Sequence, residues 1–414
     1  MSRVNDPLLS VEAAKSKILK YIQVKNPEII PLEIANGLVL AEKIYAPMNL
    51  PPFNNSSMDG FAVIADDTKG ANSNNPVRLK VIEDIPAGHT PSKHLHTGET
   101  SRIMTGAPTP PGSDAIIPVE LTNFSDRYSE QDLPETIEIY QEALSGNYIR
   151  PEGQDITQGS DLFEKGRMLK PQDLGLLSGL GISDVSVYPQ AKIALISSGD
   201  EITKPGNKLE PGKIYDMNTI SIRTLLQSFG AEVVEFGIAK DDYQDVYNTL
   251  EKTHESDFDL IVSTAGVSLG VYDYINRVLE DHGEIDFWRV NMRPGKPFLF
   301  GKFGNIPFIG LPGNPVSAFV SSRIFLKPVI NMFAGKDTTE TFFDTILDED
   351  MKSDGRESYL RVSVSKKGNI FHARQTQHQG SGNIYSLVCS NALLIMPAGV
   401  KSLPKGSSAK FIEI

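Results

Sequence analysis

At 414 residues, with an ordinary apolar fraction, the chain is long enough for roughly two to four domains with real cores, and it is neither a disulfide-stapled scaffold nor a disordered one. Its single cysteine, Cys389, cannot form an intramolecular disulfide and reads as a small buried apolar residue; the seven histidines form no zinc spacing, which points to a reducing cytoplasm. A net charge of −12 argues against a nucleic-acid surface, no apolar run approaches membrane-spanning length, and residues 1–20 lack an export signal, so an anionic ligand needs a local pocket of cations and backbone amides.

In chain order, Ser10 caps an amphipathic helix whose apolar face is Val11, Ala14, Ile18 and Ile22. From residue 51 to about 148 the pattern changes to β-like runs at 61–64, 77–82, 115–119 and 136–140, broken by Gly, Pro, Asn and Asp, which gives a small β-rich inserted domain. Pro171 opens a helix over 172–180 that Gly181 ends; chain order alone places this segment with the amino-terminal helix as one elongated, discontinuous first domain. Between 191 and 335, strands at 192–196, 232–238 and 259–263 alternate with helices at 219–229, 243–253 and 273–282, with Gly230 and Gly283 as stops. Such alternation means a doubly wound parallel α/β sheet. Beyond residue 331, runs at 359–364, 370–376, 392–396 and 409–414 suit a terminal β-barrel or sandwich. The expected domains are therefore 1–50 with 148–188, 51–147, 189–335 and 336–414.

Ligands in a doubly wound sheet bind outside the carboxyl ends of its strands, so the α/β segment carries the chemistry. Asp200 and Glu201 follow the first strand, Asp241 and Asp242 the second, and Asp273 closes the loop after the third. Carboxylates gathered at one rim suit a hard cation such as Mg²⁺; any one of them alone is better explained as a helix cap or a solvated turn, but together they are harder to dismiss. In Phe287-Trp288-Arg289-Val290-Asn291-Met292-Arg293 a period of two puts both arginines on one strand face, and Lys296 follows; they are either oxyanion ligands or ordinary exposed charges. Three glycine-marked turns adjoin apolar runs: Gly266, Ser268 and Gly270 in the first, Pro294-Gly295-Lys296-Pro297 in the second, and Pro312, Gly313 and Asn314 in the third. Pro315 suits the first position of a helix whose amides would face an anion. Asp59 before Gly60, Thr105 before Gly106, Arg361 and Ser381 are further polar candidates, each individually explicable as turn or surface chemistry.

The order of Asn55-Ser56-Ser57-Met58-Asp59-Gly60-Phe61-Ala62-Val63, Ile103-Met104-Thr105-Gly106-Ala107, Ser198-Gly199-Asp200-Glu201, Gly266-Val267-Ser268, Asp273-Tyr274, Pro294-Gly295-Lys296-Pro297 and Leu311-Pro312-Gly313-Asn314-Pro315-Val316-Ser317 resembles that of the molybdopterin molybdenumtransferases, the MoeA family that includes the gephyrin E domain. The resemblance spans nearly the whole chain. It implies four domains ending in a β-barrel, and a homodimer with a composite cleft. Asp59 and Thr105 would come from one subunit, with Glu201, Asp241, Asp273, Arg289, Arg293, Lys296, Arg361 and Ser381 from its partner. The implied reaction takes adenylylated molybdopterin and molybdate, releases AMP with Mg²⁺ present, and leaves molybdenum on the dithiolene; molybdopterin adenylyltransferase and molybdoenzymes are the implied partners. Four residues depart from the family pattern. Ala265 replaces a glycine, Arg289 and Arg293 stand where some relatives have lysine, and Gln154 stands where Glu is common. An adenylyltransferase resembling the α/β domain and a gephyrin-like scaffold are the rival readings. The full set of acids and bases, together with Met58-Asp59-Gly60, favours the transferase.

Overall fold

The computed structural model describes residues 7–124, 133–265 and 274–414, and the chain divides into two compact units. The smaller comprises Glu42–Lys165 and Pro171–Asp184; the larger comprises Met1–Ala41, Gly166–Lys170 and Val185–Ile414.

The first helix, α1 (Val11–Tyr21), belongs to the larger unit and starts as the sequence requires. Ser10 Oγ accepts the Ala13 N–H at 3.1 Å, while Val11, Ala14 and Ile18 face the core.

In the smaller unit, β1 (Gly60–Val63), β2 (Val77–Ile85), β3 (Glu99–Ile103), β4 (Ala115–Pro118) and β5 (Thr136–Ile139) form one sheet in the order β4-β1-β3-β2-β5. Phe61, Leu79, Ile117, Ile137 and Ile139 pack its core. Gly60 is sterically obligatory, because a Cβ there would lie 2.0 Å from the Ile117 carbonyl oxygen. Helix α2 (Pro171–Gly179) is opened by Pro171 and closed by Gly181 at φ +77°.

The larger unit continues with β6 (Lys192–Ser198), α3 (Asn218–Ser228), β7 (Glu232–Ala239), α4 (Tyr243–Glu251), β8 (Leu260–Ser263), α5 (Tyr274–His282), β9 (Gly283–Arg289), β10 (Met292–Arg293), β11 (Pro297–Phe303), β12 (Ile306–Gly310) and α6 (Pro315–Ser321). Its sheet order is β7-β6-β8-β12-β11-β9. The first four strands are parallel, as the alternation predicts, while β11 runs antiparallel to both neighbours. The two-residue turn at Gly304 and Asn305 closes β11 and β12 as a hairpin, which a parallel crossover could not do. Its apolar runs were absent from the predicted alternation.

Three other expectations need correction. Arg289 and Arg293 do not share a strand face. β9 ends at Arg289, and β10 leaves that sheet to pair in parallel with Glu357 and Ser358. The helical segment Pro315–Phe333 is 19 residues long and apolar enough to cross a membrane by length and composition, but it is 78% buried within the protein, with Val316, Phe325, Leu326 and Val329 in the main core. Its interspersed serines, Arg323 and Lys327 hid that run in the sequence. Cys389 is exposed rather than buried, because the short helix Tyr385–Val388 turns Ser386 and Leu387 inward and leaves Val388 and Cys389 outside.

The carboxyl-terminal strands β13 (Phe343–Leu347), β14 (Glu357–Lys367), β15 (Ile370–Gln375), β16 (Ala392–Met396) and β17 (Ser408–Glu413) pair in the order β14-β15-β13-β17-β16. Because β16 also pairs with β14, they close into a barrel rather than a sandwich.

Candidate functional site

In the smaller unit the structure joins two motifs that lie 46 residues apart. Asp59 Oδ1 accepts both the backbone N–H and the hydroxyl of Thr105, each at 2.7 Å. Gly106, at φ +83°, turns the chain after Thr105 and donates its N–H to the Ser56 carbonyl. Arg102 on β3 forks onto Asp84 of β2. The result is a fixed polar corner, with Asp59 half-buried and Thr105 exposed.

In the larger unit, the parallel strands β7, β6, β8 and β12 end at one rim; β9 runs the same way, and β11 begins there. Strand order therefore lays out the candidates. With about 4.8 Å between strands, the rim from β6 to β9 spans roughly 19 Å.

Acids hold one end. The Asp200 N–H donates to Asp241 Oδ2 at 3.2 Å, and the Asp241 N–H donates to Asp200 Oδ1 at 3.3 Å, so the two loops are clasped through their own carboxylates. Glu201 is exposed and folds back over Gly199, where a Cβ would lie 2.7 Å from Glu201 Oε2. Asp242 is occupied structurally, since its Oδ1 accepts the N–H groups of Gln244 and Asp245 and caps α4. Among the described residues no three or more His, Cys, Asp or Glu side chains are gathered to hold a metal. Gly266, Ser268, Gly270 and Asp273 lie outside the described residues.

The middle of the rim is backbone. Ala265 fits without strain, since among the described non-glycine residues only Tyr148 and Gln377 have positive φ. Its Cβ lies 4.0 Å from where a Gly313 Cβ would be, so the turns after β8 and β12 are neighbours. Gly313 itself has room for a side chain and is not left-handed, so neither packing nor backbone geometry requires glycine there. Pro312 is buried, and Gly313 and Asn314 are exposed. Asn314 precedes α6 without capping it through its side chain, and Pro315 starts the helix as expected.

Cations hold the other end. Gly295, at φ +107°, allows the tight turn before the exposed Lys296; a Cβ there would meet Ser321 Oγ at 2.5 Å. Arg289 stacks over Trp288, its guanidinium carbon 4.6 Å from the ring centre. Arg293 lies 3.9 Å from Asp354, a carboxylate held below its usual range first by Arg356. Arg361 on β14 is 1% exposed. Its guanidinium donates to Ser386 Oγ at 3.0 Å and to the Gly380 carbonyl at 3.1 Å, and it has no ion pair among the described residues. Burial, reinforced by the charge of Arg293, pushes this guanidinium down to about 10, so it stays charged at neutral pH. Ser381 sits in the same turn, and its carbonyl accepts the Val316 N–H of α6.

A polar group missed in the sequence lies at this rim. Ser197 bonds Thr219 and Thr264, Thr219 donates to Asp216, and Asn218 Nδ2 donates to the Gly313 carbonyl at 2.7 Å. The signal was Asp216-Met217-Asn218-Thr219 directly before a helix, which reads as ordinary capping.

Three family models match in succession: the MoeA N-terminal region (domain I and II) over residues 9–181, a probable molybdopterin binding domain over 194–332, and the MoeA C-terminal region (domain IV) over 345–414. The chain is 34% identical to molybdopterin molybdenumtransferase 2 of Mycobacterium tuberculosis, covering 98% of this chain and 99% of that protein. It is 32% identical to the molybdopterin molybdenumtransferase of Haemophilus influenzae, covering 94% of each. The crystal structure of a molybdopterin biosynthesis MoeA protein from Pyrococcus horikoshii superposes with a TM-score of 0.79 at 31% identity, covering 98% of this chain and 99% of that one.

Proposed function

The chain belongs to the MoeA family, its activity is that of a molybdopterin molybdenumtransferase in molybdenum cofactor biosynthesis, and on that premise we propose how its rim performs the transfer. The substrates in this reading are molybdate and adenylylated molybdopterin, and AMP is the leaving product. One observation carries it. A clasped acid pair and a buried guanidinium with no ion pair among the described residues stand at opposite ends of one rim, with glycine turns between them, which suits an extended ligand carrying a pyrophosphate and an oxyanion.

Asp200 and Asp241, joined by Glu201 and Asp273, would hold Mg²⁺. The oxygen-rich donor set fits a hard cation, and the reciprocal amide bonds already fix two of the carboxylates. When bound, Mg²⁺ supplies charge stabilisation at the phosphate oxygens. Arg361, Arg293 and Lys296 bind the oxyanion. Arg361 is held in one orientation by Ser386 and Gly380, so little ordering remains when the anion arrives. Ser381 presents its turn beside them, Arg289 flanks the rim on Trp288, and the turns at Gly266, Ser268, Gly270, Pro312, Gly313 and Asn314 offer amides to the pterin phosphate. Asp59 and Thr105 complete the cleft from a second subunit of a homodimer. The enzyme works in the cytoplasm, downstream of an adenylyltransferase and upstream of the molybdoenzymes. The four-domain division is at 1–50 with 148–188, 51–147, 189–335 and 336–414; the gaps between the matched regions 9–181, 194–332 and 345–414 favour its last two boundaries.

The test is to supply adenylylated molybdopterin and Mg²⁺ to the purified protein and compare AMP release with and without molybdate. Molybdate-dependent release is expected. Its absence overturns the reaction, and formation of the adenylylated species from ATP and molybdopterin would assign the adenylyltransferase step instead.

A further inference from the structure

The approach to β3 in the smaller unit holds two histidines side by side. Leu95 is 1% exposed and donates its N–H to the Pro111 carbonyl at 2.8 Å, so the residues on either side of it turn outward. In extended chain, residues two apart share a face, which is how one buried leucine brings out a pair of imidazoles. His94 and His96 are both exposed, and their rings lie nearly parallel, at 26°, with centres 5.0 Å apart.

His94 is fixed in tautomer as well as in place. Its Nδ1 lies 3.0 Å from the Leu95 carbonyl oxygen, which can only accept, so Nδ1 carries the hydrogen and the neutral ring keeps its lone pair on Nε2. The ring packs over Gly112, where a Cβ would lie 2.7 Å from His94 Cε1 and 2.9 Å from Nδ1. Metal-bound histidines commonly tie their other ring N–H to a backbone carbonyl in this way, because the bond orients the ring and raises the basicity of the ligating nitrogen. His96 is held through its backbone. Its N–H donates to Glu99 Oε2 at 3.2 Å, and its carbonyl accepts the Glu99 N–H at 3.0 Å.

An ion bonded to two imidazoles in neighbouring coordination positions, with metal–nitrogen bonds of about 2.1 Å, puts the ring centres roughly 4.5 to 5 Å apart. The two rings already have that spacing. We propose that His94 and His96 form a binding site for a divalent transition-metal ion, with water in the remaining positions. Two protein ligands make an open site rather than a closed four-coordinate one. Imidazole nitrogen selects Cu²⁺, Ni²⁺ and Zn²⁺ over Mg²⁺, and Cu²⁺ binds such ligands most tightly of the three. The site belongs to a different unit from Asp200 and Asp241, and its donors are nitrogen rather than oxygen.

The experiment titrates the full-length protein with Cu²⁺ alone, by calorimetry and by electron paramagnetic resonance, which resolves nitrogen coupled to the copper. The wild-type protein should bind one equivalent of Cu²⁺ with imidazole nitrogen coupling. His94→Ala and His96→Ala should each weaken that binding by about tenfold or more with unchanged circular dichroism, at least the cost of losing an outer-shell partner. Ni²⁺ and Zn²⁺ should compete for the site, and excess Mg²⁺ should not. A folded double variant that binds Cu²⁺ as tightly as wild type overturns the inference. A wild-type spectrum without imidazole coupling, or displacement of the copper by Mg²⁺, overturns it without recourse to any variant.

Discussion

The two ends of the rim hold charge in opposite ways. Asp200 and Glu201 are exposed and Asp241 is half-buried, with Asp200 and Asp241 each bonded to the other's backbone. Water screens this end, while the clasp holds the two carboxylates in place. Arg361 is buried, aimed by Ser386 and Gly380, and opposed by Arg293. That end is ordered before any anion binds, at the expense of a desolvated cation. On the proposed function, the contrast puts the stronger electrostatic preorganisation in the desolvated barrel-side cations, with the acids as a solvent-screened counterpart.

Replacing Arg361 tests the contrast most severely. Arg361→Gln should lower molybdate-dependent AMP release by about 10²- to 10³-fold, the usual loss for a preorganised anion donor. Arg361→Lys should recover little, since a point charge cannot keep the fork between Ser386 and Gly380. If Arg361→Lys is near wild type, Arg361 supplies only net charge and the preorganised end does not exist. At the acid end, Asp241→Asn should cost about 10- to 100-fold, in the range seen when metal-site support is lost, with part of the loss recovered by raising Mg²⁺. An equal loss at every Mg²⁺ concentration would place Asp241 outside the cation site.

A third measurement asks whether the polar corner at Asp59 and Thr105 belongs to the same cleft from another subunit. Asp59→Ala and Asp273→Ala proteins, each inactive, should regain roughly a quarter of wild-type activity when unfolded and refolded together in equal amounts, because half the dimers are mixed and each carries one intact site. No recovery would mean that both residues act within one chain.

What the sequence made legible follows the same division. Local rules were sufficient where one residue decides one feature. Ser10 set the start of α1, Gly181 and Gly230 ended their helices, and the Asp-Gly pair at Asp59 marked the entry to β1, where the closeness of β4 leaves room only for glycine. They also gathered the acids, because Asp200 and Asp241 follow adjacent parallel strands. The cationic end was less readable, because its arrangement depends on the chain changing sheets. A period of two runs unbroken through Arg289 and Arg293, yet the strand stops between them and its continuation pairs with the barrel. Nothing near Arg361 in sequence announces a buried guanidinium, since the groups that aim it come from residues 380 and 386. The hydroxyl chain was hidden for the same reason: Ser197, Thr219 and Thr264 become neighbours only when β6, α3 and β8 assemble.

The smallest expected effect separates two uses of an aspartate at the acid end. Asp242 stands next to Asp241 and reads as an equally good cation ligand, but its Oδ1 already caps α4 through two backbone amides. A cap needs an acceptor oxygen and no charge, whereas a Mg²⁺ ligand needs the carboxylate. Asp242→Asn should therefore keep both wild-type melting and the wild-type Mg²⁺ dependence of AMP release. Asp242→Ala should lose about 1 kcal/mol of stability with little change in that dependence. A higher Mg²⁺ requirement in Asp242→Asn would show that the carboxylate also faces the cation, and the acid end would then hold one more ligand than its geometry among the described residues assigns.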